Sequence, residues 1–160
     1  MSSTSWLSYQ EWVEQEKRVA SHLLEQYVNQ EELFVRKLVN ATVIHNKLYE
    51  HVSNESENGT RHIIYASRYD KNQDAVYGRY IEEPLFANSA TSEQLTTVLL
   101  RWSGKGFERS EFLNPPYNVP ASTLLLDHYL VLYSVCYEII YSVLDLDTNH
   151  VIFYLKEVNL

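Results

Sequence analysis

Between Tyr129 and Val143 every odd position is aromatic or β-branched: Tyr129, Val131, Tyr133, Val135, Tyr137, Ile139, Tyr141 and Val143. The even positions are mixed, running His128, Leu130, Leu132, Ser134, Cys136, Glu138, Ile140, Ser142, Leu144. A repeat of two sends successive side chains to opposite faces, and Tyr, Val and Ile suit a pleated, half-buried surface. The spacing therefore predicts a long strand here, with the tyrosine row on its buried face. Asp145-Leu-Asp-Thr-Asn-His150 follows as a run of turn formers. Val151 to Val158 is a second apolar run, so the pair reads as a hairpin. Aromatic residues also recur here at three- and four-residue spacing, which leaves a buried helix from Ser122 as the alternative. No capping glutamate follows Ser122, and β-branched residues dominate, so the strand is preferred.

Upstream the pattern changes. Met1 to Ser5 reads as a disordered polar tail. Leu7-Ser8-Tyr-Gln-Glu11-Trp12 has the form of a capping box with a hydrophobic staple, Ser8 as N-cap and Glu11 three residues on. From there to Ser53 no Gly or Pro intervenes, and Leu23, Leu24, Tyr27, Phe34, Leu38, Ile44, Leu48 and Val52 keep helical spacing. This predicts helix over 8–53, either as one long helix or as two broken near Asn29-Gln30-Glu31. A coiled-coil seam fails at Glu31 and His45, where apolar residues belong. Asn54 to Thr60 is a polar loop. His62–Tyr69 and Ala75–Glu82, separated by Asp70-Lys-Asn-Gln-Asp74, predict a hairpin over 62–82. Thr91-Ser-Glu-Gln94 repeats the capping pattern ahead of Leu95, Val98, Leu99 and Trp102, with Gly104 as a stop, predicting a helix over 91–103. Phe107–Leu113 alternates loosely as a strand, and Asn114–Pro120 holds three of the four prolines, an extended connection. Antiparallel strands are expected across 107–158.

These elements predict a single α+β domain over 1–160, with N-terminal helices packed on a curved antiparallel sheet. Their order, helix-helix-hairpin-helix-strands, resembles the NTF2-like, cone-shaped α+β superfamily. The resemblance covers most of the chain, rests on element order, and carries no functional residue across. The segment His128-Tyr-Leu-Val-Leu-Tyr-Ser-Val-Cys-Tyr137 also resembles the central strand of the E2-like conjugating enzymes of autophagy. Their catalytic cysteine would lie further along, and no cysteine follows Cys136, so this resemblance assigns no site.

Composition narrows the function classes. The net charge of −8 opposes a nucleic-acid partner, whose phosphates it would repel. The longest apolar run contains Asp127, His128, Glu138 and Asp145, each costly at bilayer depth, so no membrane span is expected. Cys136 is the one cysteine, no charged-then-apolar leader opens the chain, and a cytoplasmic location follows. Three Asn-x-Ser/Thr tripeptides, at Asn40, Asn54 and Asn58, carry no weight without secretion. From Pro115 onward Lys156 is the only Lys or Arg, which predicts a negative field at the Asp145–Asp147 tip.

Catalytic patterns are sparse. The four glycines build no phosphate loop, and His45 and His51 would point to different faces of a helix, so neither cofactor nor metal is expected. Asp145-Leu-Asp147-Thr-Asn149 has the oxygen spacing of half a calcium loop, but His150 and Lys156 stand where Gly and Glu belong. Cys136 reads as a small inert hydrophobe. His128 and Glu138 are the one acid–base pair to consider. On one straight strand they lie roughly 33 Å apart, and only a break near Ser134 brings them together.

The expected function is binding: an inhibitor, adaptor or accessory subunit that meets a protein partner's basic surface through Glu138, Asp145, Asp147 and Tyr141. The alternatives are a metal-free pocket enzyme (an isomerase, dehydratase or hydrolase acting on a small apolar substrate) using His128, Glu138, Tyr133 or Tyr137 for proton transfer, and a homo-oligomeric structural module.

Overall fold

The computed structural model describes residues 4–86, 90–110, 113–116 and 119–159. It consists mostly of strands: β1 (Thr4–Val13), β2 (Arg18–Asn29), β3 (Ala41–Ile44), β4 (Lys47–Glu57), β5 (Arg61–Arg68), β6 (Thr96–Trp102), β7 (Phe107–Arg109), β8 (Tyr129–Leu132), β9 (Val135–Asp145) and β10 (His150–Glu157). The helices among the described residues are α1 (Gln30–Leu38), α2 (Gly78–Glu82) and α3 (Ala121–Leu124). One mixed sheet runs β2-β1-β5-β4-β3-β9-β10-β6-β7, with β8 added to β9. The pairs β1/β5, β3/β9 and β6/β10 are parallel, and the others are antiparallel.

This overturns the α+β expectation of N-terminal helices on a curved antiparallel sheet, and with it the NTF2-like element order. Residues 8–53 hold β1, β2, α1, β3 and β4. Ser8, read as an N-cap, is buried in mid-strand between Leu7 and Tyr9. The physical reason lies in the β1–β2 pairing, whose register slips between Tyr9 and Gln10 and again between Glu11 and Trp12. Each irregularity breaks the alternation of two, and the surviving apolar spacings mimic a helix. The break expected near Asn29 between two helices is instead the junction of β2 with α1, where the Asn29 side chain accepts the Glu32 amide and Glu32 accepts the Asn29 amide. The capping box is thus Asn29-x-x-Glu32.

Two further helix and strand assignments reverse. The 91–103 helix is β6, whose Val98, Leu99 and Leu100 are buried on consecutive positions because both faces of this strand are covered. Consecutive burial carries no period, so spacing could not separate the two forms. In the 62–82 hairpin only β5 is a strand; Asp74 accepts the amides of Val76 and Tyr77 and leads into α2. Gly78 is required there, since a Cβ would meet the Lys71 carbonyl oxygen at 2.1 Å. Of the expected tail, Thr4 and Ser5 begin β1, and Met1–Ser3 lie outside the described residues. So do positions 111–112 of the 107–113 strand, of which β7 is described, and 117–118 of the proline-rich connection.

The long strand from residue 123 is divided. Tyr133 and Ser134 have φ of 51° and 67°, the left-handed pair of a two-residue hairpin turn, so β8 folds back on β9. The β9–β10 hairpin forms as expected. It contains a bulge: Tyr141 faces Tyr154 and Ile139 faces Leu155, which leaves Ile140 as the extra residue. One added residue switches every later side chain to the other face. Tyr137 and Ile139 therefore join the core under α1 and α3, while Tyr141 and Val143 join the core under α2. The tyrosine row does not share one buried face; Tyr129 and Tyr133 are exposed.

Candidate functional site

The α2 face of the C-terminal strands is tied together by aromatic rings. Tyr69, Tyr141, Tyr154, Phe107 and Trp102 touch in sequence, with centroids 6.2, 6.2, 5.0 and 5.0 Å apart, and Tyr77 and Tyr80 pack on Trp102. Edge contacts of this kind fix ring orientation as well as burying area. The hydroxyls are anchored: Tyr69 donates to the Gly78 carbonyl at 2.6 Å, Tyr154 to the Ile81 carbonyl at 2.7 Å and Tyr141 to the Glu50 carboxylate at 2.7 Å.

One end of this row opens into a recess of about 180 Å³ lined by Glu50, Tyr69, Asp70, Gln73, Asp74, Ile81, Ile140 and Tyr141. Its three carboxylates share one sign. Asp70 accepts the Asn72 amide, Asp74 the amides of Val76 and Tyr77, and Glu50 the Tyr141 hydroxyl, each through a single oxygen. The second oxygen of each has no protein donor among the described residues. Burial pushes the Tyr69 phenol well above its ordinary value, and Glu50, Asp74, Glu82 and Asp70 push it further. Burial and the Glu50 carboxylate do the same to Tyr141. Both phenols therefore stay protonated, in a field that favours a cation.

Two other recesses differ in chemistry. One, of about 240 Å³ beside α1, has charges of both signs in its lining, Arg36 with Glu32 and Glu93. The other, of about 480 Å³, is lined by Leu85, Val98, Leu100, Phe107 and Ile152 together with Arg109, His150 and Asp145. Neither of these two gathers three carboxylates without a cation, as the tyrosine recess does.

The residues singled out from sequence are dispersed. His128 and Glu138 do become neighbours through the break at Ser134: the His128 carbonyl accepts the Ile139 amide, and Tyr129 faces Glu138. Among the described residues no hydrogen bond or ion pair joins their side chains. Tyr133 is the exposed hairpin turn, and Tyr137 is buried core. Asp145 is buried, accepts the amides of Asp147 and Thr148, and has its pKa raised by burial. Asp147 receives the amides of His45 and Asn46 at 3.0 and 2.7 Å, holding the β3–β4 turn. Tyr141 alone of this set lines the recess. Its partners Glu50, Tyr69, Asp70 and Asp74 went unnoticed. The run Asp70–Asp74 beside Tyr69 was visible in sequence, but Glu50 reaches Tyr141 only because β3 lies between their strands.

No group of three or more His, Cys, Asp or Glu among the described residues is placed to hold a metal ion. Among them, no helix is long and apolar enough to cross a membrane. No protein-family model, curated protein or solved structure matches the chain.

Proposed function

We propose that this protein is a binding module whose tyrosine-walled recess takes the cationic head of a lysine or arginine side chain from a basic protein partner. The observation that carries the reading is the set of free carboxylate oxygens on Glu50, Asp70 and Asp74 around the Tyr69 and Tyr141 rings, with no cation among the lining residues. Carboxylates supply charge-assisted acceptors, and a phenol ring attracts a cation to its face. The overall charge of −8 adds long-range steering toward a basic surface. A single cysteine, Cys136, fits a reducing cytoplasmic setting.

The test is a calorimetric titration with a lysine-rich peptide and its glutamine counterpart, at low and physiological salt. The lysine peptide is expected to bind, with affinity falling as salt rises. Glu50→Gln and Asp74→Asn keep the shape and the structural hydrogen bonds, and each is expected to weaken binding about five- to tenfold. Equal affinity for the two peptides would overturn the reading.

A further inference from the structure

Among the described residues, three strands of the sheet have one strand neighbour each: β2, β7 and β8. Two are protected in the manner usual for free edges. In β2 there are charges at Arg18 and Glu25 and an irregular register, while β7 is three residues long and carries Glu108 and Arg109. β8 is also short, at four residues, but Tyr129-Leu-Val-Leu132 has no charge, proline or bulge.

Its outward side chains are apolar and close in sequence. Leu126, Tyr129, Val131 and Tyr133 are 67, 55, 68 and 75% exposed. Tyr133 also holds φ at 51° in the turn, where Asn or Gly is the usual occupant. A strained, solvent-exposed aromatic ring gains nothing in the isolated chain.

The edge hydrogen-bonding groups can be assigned. The His128 carbonyl accepts the Ile139 amide, so in the antiparallel alternation residues 128, 130 and 132 bond to β9, and Tyr129 and Val131 direct their N–H and C=O groups away from it. We propose that this edge pairs antiparallel with β8 of a second copy of the chain, on a two-fold axis at Leu130. Tyr129 then lies opposite Val131 of the second copy, and vice versa. All outward N–H and C=O groups of these residues find partners, and the side chains form aromatic–β-branched pairs across the seam.

Charge along the edge itself does not oppose this occupant. The strand has no acid to attract a basic partner, and the register sets Asp127 opposite Tyr133, so no acid meets an acid. The two copies of Glu138 are three strand spacings across and two residues along from each other, about 16 Å, beyond the Debye length at physiological salt. The apolar surface covered is roughly 400–500 Å² per copy, below the ~800 Å² per partner of a stable interface, so the dimer is a weak, reversible one.

Sedimentation equilibrium from low to several hundred micromolar is the test. The wild-type chain is expected to pass from monomer to dimer, Val131→Lys to weaken the dimer at least about tenfold, and Val19→Lys on the β2 edge to leave it unchanged. Register is read in a Cys136→Ser background, where an equal mixture of Tyr129→Cys and Val131→Cys chains is expected to cross-link faster than either alone. A wild-type monomer throughout, a Val131→Lys dimer of undiminished affinity, or equal cross-linking within the single variants would each overturn the proposal.

Discussion

The strands β9, β10 and β6 are covered on both faces, whereas β1, β2 and β5 pack on one. In β10 the five residues Val151–Leu155 are all buried, Val151, Phe153 and Leu155 under α1 and α3 and Ile152 and Tyr154 under α2. In β1 Leu7 and Tyr9 point into the core, while Trp6 and Trp12 meet Tyr27 and Tyr65 in half-exposed ring contacts. The two halves use similar residues for different purposes. In the first half aromatic rings cover a sheet surface; in the second they form the wall of a recess.

The largest expected contrast comes from the bulge. Deleting Ser142 rather than the extra residue Ile140 breaks the match, so either Tyr141 crosses to the face of Tyr137 or Val143 and Leu144 exchange faces, and one of the two core layers loses its side chains. The cost should exceed about 5 kcal/mol and leave no folded chain by circular dichroism. An equivalent deletion at Gln10, within the irregular stretch of β1, should leave a folded chain. A cooperative melt from the Ser142 deletion would show that the two layers are not separately specified.

Single core truncations come next. Phe153→Ala should cost about 4 kcal/mol in chemical denaturation. Tyr65→Ala, on the open face of the first half, should cost under about 1 kcal/mol. Similar values would erase the distinction between the halves.

At His51 the comparison becomes pH-dependent. Its Nε2 meets the Thr42 hydroxyl at 2.7 Å, its Nδ1 has no partner, and burial holds its pKa down from 6.5 to about 4. The folded state therefore carries neutral imidazole while the unfolded chain protonates first. The stability is complete above pH 6.5 and falls as pH drops toward 4. By pH 5 the loss should be about 2 kcal/mol. His51→Gln should remove that component of the slope; an unchanged slope would assign it to other groups.

The smallest contrast is between two buried hydroxyls. Tyr9 has no aligned hydrogen-bond partner for its OH, although Thr42 and Arg36 lie beside it, and burial raises its pKa to about 12. Tyr9→Phe should be neutral within about 0.5 kcal/mol, whereas Tyr154→Phe, which loses the Ile81 carbonyl, should cost about 1 kcal/mol. Reversed values would place an ordered water on Tyr9.

The same division explains what could be read from the residues. The β9–β10 hairpin was legible because Asp145–His150 separates two β-rich runs, and the break at Asn29 was legible as an interruption. The first half was not, because its register irregularities disturb the one-sided pattern on which a strand assignment depends. Turns whose identity rests on positive φ at Tyr133 and Ser134, or at His45 and Asn46, bear no compositional mark. Of the recess, Tyr141 stood out by its place in a row, and the Asp70–Asp74 run was visible as a turn. Glu50 depended on a long-range pairing that no local pattern encodes.

That pairing also bears on how the chain reaches its fold. The Asn40 carboxamide oxygen accepts the Ser142 amide across 102 residues, at the seam where β3 lies parallel to β9. Local hairpins such as β8–β9 can close on the microsecond scale, but this seam must wait for a loop of about a hundred residues to close before its contacts repay the lost chain entropy. Folding should therefore be slow for a domain of this size, in milliseconds to seconds. The last step should be the joining of two preformed halves, during which the open edges of β3 and β9 are exposed to other chains.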